Sequence, residues 1–170
     1  MLPTNHFLFG MIASGKYDFT LGERILFSLG SMEPDFDRAH RKFPHYREAS
    51  EERILGIYEQ LKETKSGNMF RWGITAHHFA DFCCSMHQNR FTEDEKAHWD
   101  YEAELRNYLI SHLIRFKRMK FDCTVPIEAS DRFLDTGVRF DLRTDLEYGL
   151  MAVEAAAGAA AEAMGRKRIR

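Results

Sequence analysis

Residues 75–102 constrain the fold of this chain more than any other stretch. They read T-A-H-H-F-A-D-F-C-C-S-M-H-Q-N-R-F-T-E-D-E-K-A-H-W-D-Y-E and hold four of the eight histidines. Phe70, Ile74, Phe79 and Phe82 are spaced so that they nearly encircle a helix, the pattern of one buried on all sides. Such a helix must find partners for His77, His78 and Asp81, because an unpaired buried carboxylate is costly. His77 and Asp81 are four residues apart, as are His98 and Glu102. On helices each pair therefore shares a face, one turn apart. A single pair of this kind is common on helix surfaces. Two pairs on neighbouring helices, with His87 between them, supply the imidazole nitrogens and carboxylate oxygens that zinc takes.

The rest of the chain reads as helix, and the expected class is all-α, a multi-helix bundle around a multinuclear metal site. A first helix is expected from about His6 to Ser14, stopped by Gly15. A second runs from Leu21 to Leu29, carrying Ile25, Leu26 and Leu29 at helical spacing, and ends at Gly30. Pro34 disfavours helix beyond that point, so residues 30–47 are expected to be a loop carrying Asp35, His40 and His45. A third helix spans residues 50–65, with Ile54, Leu55, Tyr58 and Leu61 on one face. The central helix starts at Asn68 as N-cap and continues toward Met86. Thr92 and Glu95 form a capping box for a fifth helix, whose row Trp99, Leu105, Leu109, Leu113 and Phe116 is expected to face inward. A further helix starts at Pro126 and reaches about Phe140. Thr144 and Glu147 form a second capping box, opening an alanine-rich last helix to about Met164.

The 170 residues fit a single domain, 1–170, large enough to bury a core. Lys and Arg number 24 against 26 Asp and Glu, a net charge of -2, which gives no global bias toward nucleic acid. Only residues 166–170, R-K-R-I-R, are strongly basic. Cys83, Cys84 and Cys123 make an odd set, two of them adjacent, which argues against a disulfide framework and suits a reducing compartment. The first ten residues lack a basic and apolar leader pattern, and no apolar run reaches membrane-spanning length. A cytoplasmic protein without a transmembrane segment is the expectation.

Taken together, His6 near the start, G-S-M-E-P-D at residues 30–35, P-H at 44–45, H-H-F-A-D at 77–81 with His87 six residues on, and H-W-D-Y-E at 98–102 resemble the bacterial zinc-dependent phospholipase C family. That family is related to the single-strand-specific zinc nucleases. The resemblance covers roughly the first two-thirds of the chain, and it implies an all-α fold with two or three zinc ions. Asp35, His45, His77 and Asp81 would hold one ion, with His40 the other histidine of the same loop. His6 and Asp81 would hold a second, Asp81 bridging, and His87, His98 and Glu102 a third. The implied chemistry is hydrolysis of a phosphodiester, in a phospholipid head group or a nucleotide, by metal-bound hydroxide attacking phosphorus. Asp35 would orient the water or act as general base. No stable nucleic acid complex is implied. Secreted members also supply the amine and carbonyl of the mature N-terminus as ligands. Here five residues precede His6, which makes its ion the least firmly held. The alternative is a non-catalytic protein whose zinc is saturated by the same ligands and serves structure or interaction. Outside this set, His78 is expected in a supporting or packing role, Cys83 and Cys84 as small buried hydrophobes, and Trp72 and Trp99 in the core.

Overall fold

The computed structural model describes residues 1–36, 46–88, 95–137 and 139–169. Its eight α-helices among those residues are α1 Pro3–Ser14, α2 Leu21–Phe36, α3 Arg47–Glu63, α4 Met69–Asp81, α5 Glu95–Ser111, α6 Leu113–Arg118, α7 Pro126–Asp135 and α8 Leu142–Ala163. A 3-10 turn, Ser85–His87, follows α4. The one β-contact among the described residues is an isolated bridge between Tyr17 and Arg168. The class is all-α, as the periodicity requires. No helix of the described residues is long and apolar enough to cross a membrane.

α4 is the hub, packed against α1, α2, α3, α7 and α8. Its start is fixed locally, because the Asn68 side chain accepts a hydrogen bond from the Arg71 N–H and satisfies one of the unpaired donors of the first turn. Its burial comes from Trp72, Ala76, Phe79 and Ala80, all at the centre of the core. Tyr58 of α3 meets Trp72 and Phe79 edge-on, at centroid distances of 5.8 and 5.6 Å. Leu146, Leu150 and Val153 with the alanines of α8 close the other side.

α2 departs most from expectation. It runs through Gly30 and Pro34 to Phe36, so the expected loop at 30–36 is helix. Its inner face is not its apolar row: Phe27, Ser28, Gly30, Ser31 and Pro34 are buried, whereas Ile25, Leu26 and Leu29 are exposed. The physical reason is a close helix crossing. A Cβ on Gly30 would stand 2.1 Å from the Phe70 carbonyl oxygen, and one on Gly73 would stand 2.1 Å from that of Phe27. Glycine on both helices lets the backbones touch, and the packing gained outweighs the roughly 3 kcal/mol that proline costs inside a helix.

Other boundaries moved for local reasons. α1 begins at Pro3, whose missing N–H is harmless in the first helical turn. α4 stops at Asp81 rather than Met86. The fifth helix is interrupted at His112, and α7 ends at Asp135. Asp141, not Thr144, caps α8, its side chain accepting from the Arg143 and Thr144 N–H groups. Trp99 is exposed instead of packed inward, while Leu105, Leu109 and Phe116 are core and Leu113 is half-buried against it. Thr92 of the first capping box lies outside the described residues.

Candidate metal centre

Five elements bring the ligand-type side chains together. His6 comes from α1, Asp35 from the last turn of α2, His77 and Asp81 from α4, His87 from the 3-10 turn, and His98 and Glu102 from α5. The early end of α4 matters here: the chain turns after Asp81, so His87 folds back over it. The close α2–α4 crossing then sets Asp35 beside His77, with 3.9 Å between Oδ1 and Nε2.

Two groups have the geometry to hold a cation. His6, Asp35 and His77 offer ligand atoms within 4.8 Å of one another, and so do His87, His98 and Glu102. Asp81 lies between them. Its Oδ1 stands 3.2 Å from His6 Nε2, and its Oδ2 stands 3.1 Å from His77 Nε2 and 3.4 Å from His87 Nδ1. In the second group, Glu102 Oε1 is 2.7 Å from His98 Nε2 and 3.1 Å from His87 Nε2. His6, His77 and Asp81 are wholly buried, whereas Asp35 and His98 are partly exposed. Solvent therefore reaches the centre at those two residues.

The amino terminus enters the same centre. The Met1 amine donates to Asp81 Oδ1 at 2.7 Å and stands 3.1 Å from both His87 Nε2 and Glu102 Oε1. The five residues ahead of His6 thus do not hold the terminus away from the site. A positive charge already sits among these carboxylates, which is the electrostatic condition that a metal ion would meet.

Burial pushes the His6 and His77 imidazoles down to about 4, the latter with help from His6 beside it. Both are neutral at pH 7 and carry a lone pair, the form that ligates. The His77 Nδ1–H donates to the Ser31 carbonyl at 2.9 Å, which turns Nε2 toward Asp81. Nδ1 of the buried His6 ring has no hydrogen-bond partner among the described residues, and Nε2 faces Asp81 Oδ1 at 3.2 Å. Burial disfavours the charge on His87, but the Asp81 and Glu102 carboxylates outweigh it and lift the imidazole to about 9. Burial likewise opposes ionisation of Glu102 and Asp81, yet the surrounding amine and imidazoles hold both well below the usual carboxylate range. This donor set fits zinc: the neutral His6 and His77 imidazoles and ionised carboxylates are ready to ligate, and His87 would release its proton on binding the metal.

One supporting carboxylate escaped the sequence reading because it looked like part of a helix cap. Asp145 on α8 is buried, and accepts from the Ser85 N–H and hydroxyl at 2.7 Å each and from the Tyr101 hydroxyl at 3.0 Å. Ser85 precedes His87 by two residues and Tyr101 precedes Glu102 by one, so Asp145 ties together the two segments that form the second group. Burial raises the Asp145 carboxyl from 3.8 to about 6, against the pull of these hydrogen bonds. A raised carboxyl means that the folded state holds the proton more tightly than the unfolded one. Its contribution is therefore most favourable below pH 4 and is lost as pH rises through about 6, by roughly 3 kcal/mol. Asp145→Asn keeps acceptor and donor capacity without the charge. The stability difference between variant and parent should shift in the variant's favour by that amount between pH 4 and pH 7. Equal pH profiles in denaturant titrations would show that Asp145 is ionised at no cost.

The structure thus unites seven of the eight proposed ligands; His45, with His40, lies outside the described residues. His6 stands with Asp35 and His77 in one group, closer than separate ions for His6 and His77 would suggest. His78 is buried with its ring edge-on to His77 at 5.1 Å. His112 is remote, stacked on Tyr108 at 4.1 Å. Burial, then the nearby Asp145, holds the Cys83 and Cys84 thiols well above their usual range, so both are core hydrophobes and not thiolate ligands.

A family model described as zinc dependent phospholipase C matches residues 22–148. No curated protein and no solved structure matches the chain. The matched span contains every proposed ligand except His6, which only folding brings to the others.

Proposed function

The chain belongs to the zinc-dependent phospholipase C family, and from that premise we propose that it hydrolyses phosphodiester bonds of phospholipids at the centre joined by Asp81. The observation that carries this reading is the pair of ligand groups sharing one buried carboxylate, with solvent admitted at Asp35 and His98. His6, Asp35, His77 and Asp81 would hold zinc on one side, and His87, His98 and Glu102 on the other, with His45 as a further ligand. Zinc bound there would acidify water and polarise a phosphoryl oxygen.

The residues of the chain do the rest. Asp35 is the carboxylate at the open edge, placed to accept a proton from the attacking water and to orient it. Asp81 counters the charge of the Met1 amine and the His87 imidazolium, and stands between the two groups. The Ser31 carbonyl holds the His77 tautomer. Asp35 and Ser31 come from α2, which packs closely on the α4 that carries His77 and Asp81.

A closed zinc site serving structure alone is the second reading, favoured by the complete burial of His6, His77 and Asp81. Protein purified without chelator should carry more than one zinc per chain by elemental analysis. It should cleave an aryl phosphodiester or a short-chain phospholipid, lose that activity to chelator and regain it with zinc. Asp35→Asn should lose more activity than metal. Fully metallated protein with no hydrolysis of either substrate would decide for the closed site.

A further inference from the structure

We infer that the outer face of α2 docks the protein onto an anionic phospholipid bilayer. The choice of lipid rests in part on the hydrolase reading above, and the surface itself stands on separate observations. Helical spacing puts Leu21, Ile25, Leu26, Leu29 and Phe36 within one arc of roughly 140°, along a helix about 24 Å long. They are 63%, 39%, 49%, 43% and 60% exposed. The only charged residue in that arc is Glu33, and it is half-buried. A stripe of large aliphatic residues on the outside of a helix, with its small residues turned inward, is the reverse of an ordinary surface helix.

Two features select a lipid surface as the occupant. The first is charge. The chain as a whole is at -2, yet its cationic segment 166–168 is fastened to the start of α2. The Lys167 N–H donates to Asp18 Oδ1 at 2.6 Å, the Asp18 N–H donates to the Lys167 carbonyl at 2.9 Å, and Arg166 pairs with Glu23 at 2.7 Å. Lys167 is exposed there, whereas Arg168 turns its guanidinium to Glu154 of α8 at 2.5 Å. An apolar stripe with the exposed Lys167 near its first turn suits a helix that lies in the plane of an anionic membrane interface.

The second is continuity with the centre. The last turn of α2 carries Asp35, and the exposed Phe36 follows it directly. Trp99, 60% exposed, likewise follows His98 of the second group directly in the chain. Exposed aromatic rings of this kind favour the headgroup level of a bilayer. Docking on α2 would thus bring phospholipid to the edge at which solvent reaches the metal ligands.

The test is co-sedimentation with vesicles of phosphatidylcholine alone and of phosphatidylcholine mixed with phosphatidylglycerol. The parent should bind the mixed vesicles more tightly. Leu26→Glu with Leu29→Glu replaces exposed side chains by a good helix former, so its thermal melt should match the parent's, and its affinity should fall about a hundredfold. Lys167→Glu should weaken binding to mixed vesicles about fivefold and leave that to neutral vesicles unchanged. Hydrolysis of a short-chain phospholipid below its critical micelle concentration should be equal in parent and variants. Vesicle binding without any hydrolysis would uphold the surface and remove the hydrolase reading. Equal binding by the parent and the double variant would overturn the proposal. So would a parent that forms a dimer broken by the double variant while neither sediments with vesicles, because the face would then belong to a second copy of this chain.

Discussion

Asp81→Asn is expected to strip metal from both ligand groups and to lower phosphodiester hydrolysis by about a thousandfold, on the order of 4 kcal/mol of transition-state stabilisation. The side chain is wholly buried, and its two oxygens face the Met1 amine, His6, His77 and His87 at 2.7 to 3.4 Å. Asparagine has nearly the same shape, so the loss would report charge and not space. It leaves the His87 imidazolium and the terminal amine with one counter-charge fewer, and breaking a buried pair in this way costs roughly 3–5 kcal/mol. His98→Ala and Glu102→Ala are the comparison. Each removes a ligand from the second group only, so each should lose that group's metal and keep the other. Metal analysis of the three purified variants decides the matter. Equal losses in all three would mean that Asp81 does not bridge.

Gly73→Ala should destabilise the fold by about 3 kcal/mol or more, although alanine is the better helix former by about 1 kcal/mol. The new Cβ would lie 2.1 Å from the Phe27 carbonyl oxygen, 2.8 Å from the Ser31 nitrogen and 2.9 Å from the Gly30 carbonyl carbon. All three are backbone atoms of a packed helix, so no side chain can swing away. α2 and α4 would have to separate, and with them the Ser31 carbonyl from His77 and Asp35 from the centre. The variant should therefore melt roughly 10 °C lower and bind less zinc. Gly56→Ala on α3 is the control, since nothing lies within 4 Å of its Cβ position. That change should stabilise. A Gly73→Ala protein as stable as the parent would mean that the two helices do not cross so closely.

Local rules accounted for much of this molecule. Helical periodicity gave the class, Asn68 marked the start of the central helix, and Tyr58 and Leu61 marked the inner face of α3. The four-residue spacings of His77 with Asp81 and His98 with Glu102 revealed ligand pairs because helix geometry alone puts such residues on one face. The buried character of α4 showed that its carboxylate needed partners. These inferences depend on neighbours within a few turns, and the chain carries that information directly.

Tertiary structure decided what depends on distant partners. Ile25, Leu26 and Leu29 have core composition, yet they face outward, because Gly30 and Gly73 gain more by bringing two backbones into contact than the leucines would by burial. Pro34 stays helical for the same reason. Trp99 is exposed because α5 presents His98 and Glu102 to the centre, and a helix face can serve only one of the two. Asp145 reads as a cap residue until Ser85, 60 positions away, is found donating to it. The Met1 amine joins the ligands only because α1 packs where its first turn meets Asp81, 80 residues along the chain. Spacing identified the ligand pairs, and close helix packing determined which of them meet.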